Sequence, residues 1–219
     1  MKTILFFFFI LSILGFDAAI ATAETKKGND GRKKNIIDGF TNKIVPMELL
    51  EVVKEVLPQY PELANVPIEF RITKLKSISM CAQPKADMLY RSAAKRAYVI
   101  KVSDNQEECN GMVVMNAPRE VLVGLIAHEL GHIMDYRERN KLQMAQFGLG
   151  YLFSKNYMRK AEYVADSFAV SKGYASHVSA IKNYVINSSI FPETYRNRLK
   201  NFYPSPQQIL NIQQSCVVK

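Results

Sequence analysis

The stretch Val121 to Ile133, VLVGLIAHELGHI, constrains the fold of this chain more than any other. Val121, Leu122, Leu125, Ile126, His132 and Ile133 recur at helical spacing, with Asn116 or Ala117 at the cap and Pro118 in the first turn. Within that helix stands His128-Glu129-Leu130-Gly131-His132. Residues four apart lie on one helical face about one turn from each other, so the two imidazoles can reach a single ion. Taken alone, such a five-residue pattern also arises by chance on amphipathic helices. Its context argues otherwise: it lies in an apolar helix after strand-like segments, and it uses two of the three histidines in the chain.

The residue types fit hydrolysis. Zinc held by His128 and His132 lowers the pKa of a bound water towards ~7, and a carboxylate at the edge of the same face can accept its proton. Glu129 stands there as the general base. A catalytic zinc takes three protein ligands and keeps one position open. No third histidine follows within about ten residues, so the search moves downstream to Glu162 and Asp166, four apart in AEYVAD. Tyr163, Val164, Phe168 and Val170 surround them, and two acids in so apolar a segment are costly to bury unless they bind something. Glu162 is the economical third ligand. Asp166 then accepts a hydrogen bond from the non-ligating nitrogen of a zinc-bound histidine. Taken by themselves, the two acids would read as solvated residues beside Arg159 and Lys160.

His128-Glu129-Leu130-Gly131-His132, followed by Glu162-Tyr163-Val164-Ala165-Asp166, resembles the gluzincin metallopeptidases. The likeness is greatest to the peptidase domain of the CAAX prenyl protease and HtpX-like families. Tyr203-Pro204-Ser205-Pro206 is similar to a His-Pro-Ser segment near the end of those domains, with Tyr203 in the place of the histidine. The likeness spans residues 118 to 215, with its specific part confined to the motif positions. It implies a zincin-like fold, one zinc per chain, peptide-bond hydrolysis and an edge strand that holds the substrate extended. Those relatives are often integral membrane proteins, and their membrane substrates are not carried over.

Other residues are open. His177, the remaining histidine, follows the Glu162 helix and could stabilise an oxyanion, although a lone histidine is more often a surface residue. Tyr163, Tyr174 and Tyr203 are equal alternatives as donors. Met112 to Met115 reads either as the strand that pairs with an extended peptide or as a buried core strand.

The rest of the chain sets the frame. Lys2, the uncharged apolar run Ile4 to Phe16 and Ala21-Thr22-Ala23 read as a signal peptide over residues 1–23, with an apolar run too short for the ~20 residues of a bilayer span. Residues 24–43 read as a flexible basic leader, and 44–219 as a single domain, exported to a periplasm or the cell exterior and expected to be monomeric, with no membrane span. The net charge of +9 comes from positive residues that are scattered, which argues against a nucleic-acid partner. Cys81 and Cys109 could pair in an oxidising compartment, leaving Cys216 over.

A helix from Val45 to Pro58, strands at Ile68 to Thr73, Ala97 to Val102 and Met112 to Met115, and a weaker strand near Ile78 precede the histidine helix. Helices at Met158 to Ser171, Val178 to Val185 and Pro206 to Gln214 follow it, while Leu142 to Phe153 carries no clear type. Strands first and helices after predict an α+β fold: a small, mainly antiparallel sheet on the histidine helix, with a helical C-terminal part. The expected activity is a zinc endopeptidase acting on a peptide or protein. A catalytically silent zincin-like binding protein, or a protease with one narrow target, would present the same residues.

Overall fold

The computed structural model describes residues 37–73, 75, 79–86, 91–104 and 116–217. The signal-peptide and most of the leader assignments, the Met112 to Met115 segment, Ile78 and Cys109 lie outside them. Four strands, β1 (Lys43–Ile44), β2 (Ile68–Thr73), β3 (Met80–Pro84) and β4 (Tyr98–Ser103), form one sheet in the order β1-β2-β4-β3. Helix α1 (Met47–Val56) follows β1. The remaining helices are α2 (Arg119–Glu138), α3 (Lys141–Phe153), α4 (Lys155–Ser171), α5 (Ala175–Asn187), α6 (Glu193–Phe202) and α7 (Pro206–Val217).

The α+β class holds, but the sheet is mixed and not mainly antiparallel. Among the described residues β1 with β2 and β2 with β4 run parallel, and β3 with β4 is the one antiparallel pair in the sheet. The alternation Ile68, Phe70, Ile72 identifies a strand without encoding its neighbour. After β2 the chain crosses to the outer edge, forms β3, and returns to insert β4 between the two, pairing Ile68 with Tyr98 and Ala82 with Ile100. That insertion makes β2 and β4 parallel.

Strand β1 begins at Lys43, the last residue of the expected leader, and Ile37 is buried in the core. Lys43 is itself buried, with Nζ donating to the carbonyls of Thr41, Leu63, Ala64 and Val66 at 2.8–3.0 Å. Four acceptors around one ammonium replace the water it gave up.

Helix α2 is buried on all sides from Val121 to Tyr136 apart from Leu125, and its length makes it the axis on which α1, α4, α5 and β3 pack. Pro118 stands at the N-cap, one residue before the first turn in which it was expected. Tyr60 donates to the carbonyl of Ala127 at 2.8 Å, and the buried Arg96 donates to those of Tyr136 (2.8 Å) and Arg139 (3.3 Å) at the C-terminal end. A cation on the last carbonyls suits the helix dipole. The untyped segment is α3, started by a capping box in which Asn140 and Gln143 bond reciprocally. The polar segment before Tyr203 holds α6, whose Leu199 is its buried residue.

Two glycines let helices touch α2 at backbone distance. A Cβ on Gly131 would fall within 3 Å of the Ala165 carbonyl oxygen of α4, and one on Gly124 would do the same at the His177 carbonyl of α5. Backbone has little room to give, so Gly131→Ala is expected to destabilise the protein by about 1–3 kcal/mol, read from urea unfolding. A variant as stable as the wild type would contradict the α2–α4 contact.

Candidate metal centre

Each residue of the centre is delivered by a separate piece of packing. His128 and His132 lie one turn apart on α2, and their rings meet edge to face at 4.7 Å between centroids. Opposite them, the Gly131–Ala165 contact brings in the inward face of α4, on which Ala161, Glu162, Ala165, Asp166 and Ala169 are all buried. Small residues on that face let the helices close until the longer carboxylates reach across.

Glu162 Oε2 sits 3.2 Å from His128 Nε2 and 3.6 Å from His132 Nε2, and one ligand atom from each residue lies within 4.8 Å of the others. Four ligands at zinc–nitrogen and zinc–oxygen distances of about 2.0–2.2 Å are separated by roughly 3.3–3.6 Å along a tetrahedral edge, so the spacing suits a small cation at the middle. Buried and facing both imidazoles, Glu162 Oε2 has no partner among the described residues other than those imidazoles, whereas Oε1 accepts a hydrogen bond from the Tyr151 hydroxyl at 2.6 Å. The free oxygen points at the histidines, as a ligand atom would.

The histidine orientation is held from behind. Asp166 is fully buried; its Oδ1 lies 2.7 Å from His128 Nδ1, and its Oδ2 accepts from Lys182 Nζ at 2.9 Å. With Nδ1 bound to a carboxylate, the tautomer that carries its proton there turns the Nε2 lone pair towards Glu162. His132 Nδ1 has no such partner among the described residues.

Charge points the same way. Glu129, Glu162 and Asp166 are three buried carboxylates against one buried ammonium, Lys182. With both imidazoles neutral, the carboxylates still outnumber Lys182 and the half-buried Arg198, which interacts with Glu162, and a divalent cation would supply the missing positive charge. Without an ion, the histidines carry the compensation. Burial alone would lower His128, but Asp166 and then Glu162 outweigh it and push the imidazole up to about 10. Burial would likewise raise Glu162, yet His128 and His132 hold its carboxyl well below the ordinary range.

Glu129 stands outside the ligand set. Its Oε2 accepts from the Ala82 amide of β3 at 2.6 Å. Burial raises its carboxyl above the usual range, an effect that the two histidines temper and Glu162 adds to. β3 is the last strand of the sheet among the described residues, and Ser79 and Met80 at its start line a cavity with His128, Glu129, Arg198 and Tyr203.

His177 is not brought to this cavity. It lies in the first turn of α5 with its ring on Tyr174 and its Nδ1 3.3 Å from the Ser176 hydroxyl. Tyr163 is exposed, and Tyr174 turns to the carbonyls of Glu55 and Val56 at the end of α1. Of the three tyrosines only Tyr203 faces the centre, its ring 5.9 Å from that of His128, with Lys182 Nζ 4.6 Å from its centroid. Sequence reading missed Tyr151, Lys182 and Arg198. Lys182 had left a trace, as a lysine beside Ile181 on the apolar face formed with Val178 and Val185; Tyr151 and Arg198 lie in segments without a clear pattern.

No family model, no curated protein and no solved structure matches this chain.

The raised His128 makes a prediction for protein kept in chelator. A histidine whose folded pKa lies near 10, against about 6.5 unfolded, contributes its full stability below pH 6.5 and loses it as pH rises towards 10. Thermal melts across that window should show Tm falling with pH, with a shallower fall in Asp166→Asn. Equal slopes in the two proteins would remove Asp166 as the cause.

Proposed function

We propose that this chain is an exported zinc-dependent endopeptidase of the gluzincin type. The observation that carries the reading is the buried set His128, His132 and Glu162, with ligand atoms converging on one point and a further carboxylate, Glu129, beside them but outside the set. Two nitrogens and one oxygen at that spacing suit zinc and leave one position open. An ion bound there would polarise a peptide carbonyl and make a water acidic enough to give up a proton near neutral pH.

The protein's own groups supply the rest. Glu129 accepts the proton of the attacking water and returns it to the departing amine. Ala82 N–H fixes one of its carboxylate oxygens, and burial keeps its affinity for a proton above that of a solvated glutamate, as the task of accepting and returning a proton requires. Asp166, braced by Lys182, holds His128 in one tautomer. Tyr151 fixes the free oxygen of Glu162 towards the histidines. Tyr203 and Arg198, which line the cavity, are donors for the oxyanion. Strand β3 is the last of the sheet among the described residues, and its start at Ser79 and Met80, which line the cavity, offers the edge along which a substrate backbone pairs in extended form.

Metal analysis by mass spectrometry tests the centre. The purified protein should hold about one zinc per chain, lost in Glu162→Ala and kept in His177→Ala. Glu129→Gln should keep the metal and lose peptide cleavage by about 10²–10⁴-fold. No metal after reconstitution, or wild-type cleavage by Glu129→Gln, would overturn the reading. A zinc-loaded protein inert on diverse peptides would instead favour a silent binding role, and cleavage of a single protein in a lysate a narrow target.

Export rests on residues 1–23. Expressed in an exporting host, the protein should be recovered outside the cytoplasm with Glu24 as its N-terminus, read by terminal sequencing; an intact Met1 would refute cleavage.

A further inference from the structure

Helix α3 is apolar on two opposite sides, and among the described residues only one of them is packed. Met144, Phe147 and Gly148 are buried. On the other side, Leu142, Ala145, Leu149 and Phe153 follow one another at helical spacing, broken only by Gln146, and Leu142, Leu149 and Phe153 are 68, 54 and 81% exposed. A helix apolar all round is ordinarily enclosed, and a contiguous exposed apolar stripe marks an interaction surface.

The charges around the stripe select its occupant. From Lys141 to Ser171 the acidic residues are Glu162 and Asp166, both buried in the metal centre. Lys141 and Lys155 are exposed at the two ends of α3, whereas Arg159 bonds the Asn201 carbonyl and lies over Phe202; the nearest exposed acid in sequence, Glu138, precedes α3. Lys141 begins α3 and Lys155 follows two residues after its end, placing an ammonium beyond each end of the stripe. A second copy of this chain meeting the stripe face to face would set positive charge against positive charge. A layer of phosphates over acyl chains satisfies both features, with the apolar residues below the headgroups and the long lysines reaching up to them.

We propose that α3 docks this protein on the surface of an anionic phospholipid bilayer, with Leu142, Leu149 and Phe153 inserted at the boundary between headgroups and acyl chains. No helix among the described residues is long and apolar enough to cross a membrane, so the attachment is peripheral. The buried side of the same helix carries Tyr151 to Glu162. The exposed stripe and the tyrosine that supports Glu162 thus share one helix. The docking does not depend on the peptidase reading, because vesicle binding is measured without hydrolysis.

The exported form that begins at Glu24, as wild type, Leu149→Ser/Phe153→Ser and Lys141→Glu/Lys155→Glu, is sedimented with vesicles of phosphatidylglycerol or of phosphatidylcholine, at low and high salt. The wild type should pellet with phosphatidylglycerol and largely stay in solution with phosphatidylcholine, with binding weakened by salt. Each double variant should bind phosphatidylglycerol at least about tenfold less, at an unchanged Tm. In the form that begins at Glu24 the apolar residues 4–16 are gone, so vesicle binding reports on the stripe and its lysines. The proposal is overturned if Leu149→Ser/Phe153→Ser pellets like the wild type, or if the wild type does not bind. It is equally overturned if that variant loses stability, meaning that the stripe is covered within the chain, or if it dissolves a wild-type dimer, meaning that a second copy covers it.

Discussion

The structure turns on how closely α2 and α4 approach. Gly131 removes the one atom that would keep the Ala165 carbonyl away, and the small residues Ala161, Ala165 and Ala169 line the same seam. At that separation a glutamate is long enough to set its free oxygen between two imidazoles, and an aspartate one turn later reaches the back of His128. A wider contact would leave the same residues as unconnected buried polar groups, each costing free energy without a partner. Packing and chemistry therefore rest on the same few atoms.

That economy has an energetic consequence. The centre buries an excess of carboxylates, and burial works against every one of them. Lys182 and the histidines offset part of the cost, and a divalent cation would offset the rest. The long buried helix, the sheet below it, Arg96 at the helix C-terminus and Tyr60 at the Ala127 carbonyl hold the cluster in place. The support is also asymmetric: His128 is braced through Asp166 to Lys182 on α5, while His132 has its ring stacked on Tyr136 and its Nδ1 unbonded among the described residues.

What could be read in the chain followed from local periodicity. The helical face of His128 and His132, the placement of Glu162 and Asp166 one turn apart, and the alternation of Ile68, Phe70 and Ile72 each depend on neighbours a few residues away. Helices α3 and α6 escaped because neither shows a clean stripe: α3 is apolar on two sides, and α6 is almost wholly polar with a single buried leucine. Tyr203 illustrates the limit well, since three tyrosines were equal as donors until folding turned one of them towards His128.

The sequence by itself determined the chemistry available: two imidazoles on one helical face, a carboxylate at its edge, and a later helix with two acids one turn apart. Those properties follow from backbone geometry within a single helix. Only the tertiary structure decided that the two helices meet, that β4 slips between β2 and β3 to make the sheet mixed, that Ala82 holds Glu129, and that Tyr151 and Lys182 support the acids. It also left His177 away from the cavity and one face of α3 uncovered among the described residues. The physical reason is range: turn-by-turn spacing is fixed by neighbouring dihedral angles, whereas contacts between distant residues depend on which surfaces fit closely enough to exclude water.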